Sequence, residues 1–207
     1  MMKSLDYNVI ASGSSGNAVR IENIMIDCGI AFKKMHEDLY KVDTLLITHA
    51  HGDHVHESTY EAIRSQFPRI KTYANPDVAY RFPVDVVIGS KKIILPKKRI
   101  IRPYEGRHDV PVTYYIITMN KLNILYATDT YYVDNPEEIP IDYFFLEANY
   151  DEKKLLAMRK QYKTRSYDPI DSSLRHLSVQ KAKEFYYVNR RNAESELIEL
   201  HKSSRFY

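Results

Sequence analysis

An apolar run, Leu45-Leu46-Ile47, ends in Thr48 and opens directly into His49-Ala50-His51-Gly52-Asp53-His54. No other stretch constrains the chain as much. A short buried strand that stops at such a turn presents imidazole nitrogens and a carboxylate at its end. Those donors suit zinc and similar borderline divalent ions. His49 and His51, two apart, can aim at one ion from the strand end and the turn after it. Asp53 and His54 follow Gly52, which permits a tight bend, and can aim at a second ion a few ångströms away. The competing reading is a polar turn that is His-rich by accident. It fits poorly, because three of the chain's eight histidines fall in this one window.

The 207 residues suffice for one domain with a sizeable core, or two small ones, and a single compact domain over 1–207 is the expectation. Hydrophobic residues at 44% and charged residues at 28% describe a globular chain. The formal charge of +3 is too small to bind polyanions globally, so such binding needs a local patch. The 18 tyrosines can stack on bases or sugars, although most are expected as half-buried strand residues. Cys28 is the one cysteine, which excludes an internal disulfide and fits a reducing compartment. The first residues carry no signal-peptide run, and no stretch approaches the roughly 18 apolar residues of a membrane span. A cytoplasmic protein without a membrane partner is the expectation.

Taken in order, residues 5–10 read as a strand and Ser12–Asn17 as a polar turn whose N–H groups can bind an anion. Residues 18–22 and 24–26 read as a hairpin, and Asp27 at its close can orient a histidine. A helix is expected over 31–41, with Phe32, Met35, Leu39 and Tyr40 on one face. Strand 44–47 delivers the His-rich turn. Helix 57–66 follows, with cap chemistry from Glu57-Ser58-Thr59, then strand 70–74 and a helix capped by Asn75 with Pro76 first. This alternation points to an α/β layered fold. Short strands are expected over 84–88, 92–95, 99–102, 112–119, 122–127 and 144–146. A basic helix covers 152–162, a loop 163–173, and Ser178 caps helix 179–190. For 196–204, propensity slightly favours helix, whereas a strand would deliver His201.

Lys91, Lys92, Lys97, Lys98, Arg99, Arg102 and Arg107 form a basic concentration, either a guarded strand edge or a phosphate-tracking groove. With the helix near 153–165 it could hold a nucleic-acid backbone. His108 sits in a loop between strands and is a candidate third ligand for the first ion. Asp129 follows a strand, where a carboxylate can bridge two metals.

Ser14-Ser15-Gly16-Asn17, Asp27, His49-x-His51-x-Asp53-His54, His108, Asp129 and a final histidine resemble the metallo-β-lactamase superfamily. Thr128-Asp129-Thr130, Glu147-Ala148-Asn149-Tyr150-Asp151, and His176-Leu177-Ser178 followed by His201-Lys202-Ser203-Ser204 are similar to its ribonuclease Z-like, YycJ-type exonuclease branch. The resemblance implies a four-layer αββα sandwich with two divalent ions, Zn2+ or Mn2+. It implies His49, His51 and His108 on the first ion, Asp53, His54 and His201 on the second, and Asp129 as the bridge. His176 is the alternative to His201. Asp27, Thr48 and Asn17 would orient ligands, and Ser14, Ser15, Asn149 and Tyr150 would face the substrate. Asp53, Asp129 and His176 would take part in catalysis, with His176 or Tyr150 as the general acid.

Two ions lower the pKa of bound water from about 15.7 towards 7, giving a hydroxide, and clamp the attacking and leaving oxygens of a phosphodiester. The leading expectation is therefore a metal-dependent phosphodiesterase acting as a nuclease, with DNA favoured over RNA. A cyclic-nucleotide or other small-molecule phosphodiesterase is the alternative, its pocket completed by a second copy in a homodimer. A carbon-ester, thioester or lactone hydrolase and a metal-stabilised binding module are the remaining readings.

Overall fold

The computed structural model describes residues 4–162 and 169–207. They divide into two compact units, Met1–Gly89 and Ser90–Tyr207, each built on a six-stranded sheet.

The first unit contains β1 (Tyr7–Ala11), β2 (Ala18–Ile21), β3 (Ile24–Ile26), β4 (Thr44–Ile47), β5 (Lys71–Ala74) and β6 (Val86–Val87), side by side in chain order. The first three pair antiparallel, whereas β3, β4, β5 and β6 run parallel. A parallel strand covered on both faces must be apolar throughout. That is why β4 reads as a continuous run, with all four of its residues buried. Ile26 is level with Leu46 and Ile47 with Ala74, so three strands end together. Residues 27, 48 and 75 leave from those ends.

The helix expected over 31–41 is broken into a 3-10 turn (Phe32–Lys34) and a short helix α1 (His36–Leu39). Met35 and Leu39 are buried as expected, but Tyr40 is 69% exposed. Helix α2 (Glu57–Gln66) has the expected span but starts at His56 without a side-chain cap. Thr59 instead donates to Ile30 O at 2.6 Å. Helix α3 (Pro76–Arg81) is capped by Asn75, whose side chain accepts from Val78 N. Buried Arg20 donates to Asp6 and Asp38, tying β2 to both.

The second unit has β7 (Ile93–Leu95), β8 (Arg99–Glu105), β9 (Thr113–Met119), β10 (Leu122–Ala127), β11 (Tyr143–Glu147) and β12 (Glu196–Leu200). The first four pair antiparallel, and β10, β11 and β12 run parallel. Ala127 is level with Leu146, and Glu147 with Leu200. The last element is therefore a strand, against the helical propensity of 196–204. Pairing with β11 decides it. Helices α4 (Glu152–Tyr162), α5 (Pro169–Ser173) and α6 (Val179–Asn189) complete the unit. Ser178 caps α6 by accepting from Lys181 N at 3.1 Å. Helix α5 lies where a loop was expected over 163–173, and residues 163–168 of that loop fall outside the described residues. The core of this unit joins Ile116, Leu125, Phe144 and Leu146 to Leu177 and Ala182.

Candidate metal centre

Each unit gathers donors at the carboxyl ends of its parallel strands, where open α/β sheets hold ligands. In the first unit, Asp27 and His54 are wholly buried, with Asp27 Oδ2 2.8 Å from His54 Nδ1. Thr48 N donates to Asp27 Oδ1 at 2.8 Å, and Thr48 Oγ1 donates to the same carboxylate. Burial pushes the Asp27 carboxyl up, against the pull of His54 and Thr48. With Nδ1–H given to Asp27, His54 Nε2 carries a lone pair, the tautomer that a metal ligand needs. Asn17 Nδ2 lies 2.8 Å from that Nε2 and donates to it. An ion at His54 Nε2 must therefore displace the Asn17 amide.

His49 Nε2 and His51 Nδ1 are 3.1 Å apart. That distance suits an N–H···N hydrogen bond. It also suits two ligands of one tetrahedral ion, whose nitrogens at about 2.0–2.1 Å from the metal lie roughly 3.3 Å apart. Asp53 is partly exposed, and its Oδ2 is 3.9 Å from His54 Nε2.

The tight approach under the turn falls on Gly29, not on Gly52. A Cβ on Gly29 would meet Asp53 O at 1.8 Å, whereas one on Gly52 meets nothing within 4 Å. The Asp53–His54 backbone lies directly on Gly29, and Cys28 N donates to His54 O at 2.8 Å.

In the second unit, Asp129, Glu147 and His201 stand at or just past the ends of β10, β11 and β12. Asp129 has φ 53° and His201 φ 51°, and Asp27 of the first unit has φ 61°. Asp and His tolerate this left-handed conformation better than most residues, at a cost on the order of 1 kcal/mol each. His176, just before α6, joins them. His176 Nδ1 is 2.7 Å from Glu147 Oε1 and 3.3 Å from Asp129 Oδ1. His201 places Nδ1 2.9 Å from the same Glu147 oxygen and Nε2 3.4 Å from Asp129 Oδ1. The two imidazoles stack at 5.1 Å. His108 adds its ring 5.4 Å from His176, and its Nε2 is 3.0 Å from Asp109 Oδ1.

Glu147 organises this cluster. Its Oε2 accepts from Thr130 N at 3.1 Å and from Leu177 N at 3.3 Å, and its Oε1 faces both histidines. Burial would raise its carboxyl, but the hydrogen bonds from His176 and His201 outweigh burial and hold it below the usual range. Burial would lower His176, but Glu147 and Asp129 raise it. Glu147 was not among the sequence-derived site residues. Its signal was present: a carboxylate at the end of a buried apolar strand, as at Asp129.

The donor chemistry fits a divalent metal. Asp129, Glu147, His176 and His201 each offer one ligand atom, all within 4.8 Å of one another. Two imidazoles and two carboxylates are ligands that zinc and manganese accept. His201 shows the arrangement of a metal-bound histidine, with one ring nitrogen on a carboxylate.

Ser14 and Ser15 are exposed. In their turn, Gly13 N donates to Asn17 Oδ1 and Gly16 N to Gly13 O, so these amides serve the loop and not an anion. Asn149, expected to face substrate, is buried and donates to His201 O at 2.7 Å. Tyr150, the other candidate general acid, is buried with Leu155, Ile170 and Phe206, and burial raises its hydroxyl pKa. Within the basic concentration, Arg99 is buried and donates to Pro96 O, and Arg102 is held by Glu137 and Thr118. Lys91, Lys92, Lys97, Lys98 and Arg107 are exposed. Among the described residues, no helix is long and apolar enough to cross a membrane.

The chain has the metallo-β-lactamase fold. Its likeness to YhfI of Bacillus subtilis, a protein of that fold, has a TM-score of 0.70 at 17% identity, covering 96% of this chain and 86% of that one. A diphosphatase of the PhnP family matches with a TM-score of 0.67 at 17% identity, over 97% of this chain and 87% of that one. In sequence, the chain is 27% identical over 198 residues to the exodeoxyribonuclease WalJ of Streptococcus pneumoniae, covering 83% of this chain and 72% of WalJ. No protein-family model matches the chain.

Proposed function

We propose that the chain is a metal-dependent phosphodiesterase that works as a nuclease, with DNA preferred over RNA. The observation that carries this reading is the donor row Asp129, Glu147 and His201, joined by His176, at the ends of β10, β11 and β12. The likeness to an exodeoxyribonuclease supports both the nuclease activity and the preference for DNA. The ligand assignment remains the one the resemblance implies: His49, His51 and His108 for one ion, Asp53, His54 and His201 for the other, and Asp129 shared.

When bound, the ions lower the pKa of a water ligand and neutralise charge on the phosphate oxygens. The chain's own groups do the rest. Asp27 and Thr48 fix the His54 ring. Glu147 holds His176 and His201 in one orientation. His176, with Nδ1 2.7 Å from Glu147 Oε1, is our general acid for the leaving oxygen. The single, buried Cys28 suits a reducing cytoplasm.

A small-molecule phosphoester hydrolase is the second reading, favoured by the likeness to a diphosphatase. Protein reconstituted with Zn2+ or Mn2+ distinguishes them on a panel of single- and double-stranded DNA, RNA, cyclic mononucleotides and diphosphate esters. Cleavage of DNA supports the nuclease. Turnover confined to cyclic nucleotides or diphosphates replaces it with the second reading, and turnover of carbon esters alone removes both.

A further inference from the structure

A groove of about 490 Å³ opens in the second unit between the segment 131–135 and one face of α6. That size falls within the range of small-molecule sites, roughly 300–1,000 Å³. Lys181, Glu184, Phe185 and Val188 line the helix side at helical spacing, and Tyr131 and Tyr132 form the other side. Tyr131 is 41% exposed and Val188 76%, so the walls are open to a ligand. The chain links this groove to the donor cluster twice. Tyr131 lies two residues beyond Asp129, and the lining residue Leu177 follows His176.

Thr130 makes the link rigid. Its N–H donates to Glu147 Oε2 at 3.1 Å, and its Oγ1 donates to Tyr132 O at 2.8 Å. The same Oγ1 accepts from Arg107 N at 2.8 Å. The Arg107 guanidinium then lies 5.2 Å from the centre of the Tyr132 ring.

We propose that this groove seats a nucleobase of the strand held at the donor cluster, an inference that rests on the nuclease reading above. The occupant follows from charge and shape. Asp134 and Glu184 line the groove beside a single lysine, which disfavours a phosphate inside it. An uncharged planar ring with hydrogen-bonding edges suits aromatic walls flanked by carboxylates and amides. Arg107 is exposed over Tyr132 and meets the backbone phosphate outside.

The test compares two phosphorothioate-linked single strands of equal charge, a hexathymidylate and an abasic hexamer, each carrying a fluorophore. Their binding to the metal-reconstituted protein is followed by anisotropy. The wild type is expected to bind the base-bearing strand about tenfold or more tightly than the abasic one. Tyr131→Ala and Val188→Asp each change an exposed side chain. Each should remove most of that preference, leave the affinity for the abasic strand within about twofold, and keep the melting temperature. Equal affinities in the wild type overturn the groove, as does a preference that survives in both variants. The substrate panel separates this from failure of the nuclease reading. A protein that cleaves DNA without a base preference loses only the groove, and one that neither cleaves nor binds nucleic acid loses both.

Discussion

His54 Nδ1 and Asp27 Oδ2 face each other at 2.8 Å, with both side chains fully buried. A buried pair of this kind contributes little net stability, but removing one partner is costly. Asp27→Ala removes the carboxylate that faces His54 Nδ1 and accepts from Thr48. We expect a loss on the order of 3 kcal/mol, read as a lowered urea midpoint with an unchanged slope. Asp27→Asn keeps the size and tolerates the left-handed backbone, so its loss should be smaller. Equal stability of Asp27→Ala and wild type would remove the pair from its orienting role.

Two glycines of the first unit should respond in opposite ways. Gly29→Ala forces a methyl into the Asp53 carbonyl, at 1.8 Å, and cannot be accommodated without moving the His-rich turn. We expect it to lower stability by several kcal/mol or to prevent folding. Gly52→Ala meets open space and should change stability by at most about 0.5–1 kcal/mol, with a gain as the favoured sign. Paired denaturation curves check this.

Glu147 favours the protonated form of His176. The His176 pKa is raised above its ordinary 6.5. Its contribution to stability is therefore fully present below pH 6.5 and fades as pH rises through the higher folded value. In metal-free protein, NMR titration of the imidazoles should show a His176 midpoint above 6.5. Glu147→Gln leaves burial as the larger influence, and the midpoint should fall below the ordinary value. A midpoint unmoved by Glu147→Gln would sever that coupling.

Asp129→Asn retains the shape and the tolerance for φ 53° but removes a carboxylate charge. We expect phosphodiesterase activity to fall by about a hundredfold or more, with the melting temperature kept within a few degrees. Elemental analysis should show fewer bound ions than in wild type. Full activity with wild-type metal content would take Asp129 out of the site.

Much of the scaffold was legible because buried parallel strands leave a plain trace. β4 and β10 were read at their observed bounds, Thr44–Ile47 and Leu122–Ala127, since the first holds the apolar run Leu45-Leu46-Ile47 and the second is rich in β-forming residues, and each is followed by a polar turn. β12 was ambiguous because Glu-Leu-Ile-Glu-Leu suits a helix locally, and only the neighbouring β11 makes it a strand. Side-chain support was hidden for a similar reason. Asn149 reaches His201 across 52 positions, and Asn17 reaches His54 across 37. No local pattern announces such amide contacts. Arg99 and Arg102 counted as free charge in the sequence, but burial and Glu137 absorb them.

The left-handed residues at Asp27, Asp129 and His201 bear on any attempt to harden this protein against heat. Glycine would relax the backbone at each of them, yet it would delete a carboxylate or an imidazole from a donor cluster. At Asp27 the loss of the buried pair with His54 outweighs that relief, so thermal selection alone threatens chiefly Asp129 and His201, where glycine would remove a proposed metal ligand. A library screened at the same time for metal retention would keep them fixed and find its gains elsewhere.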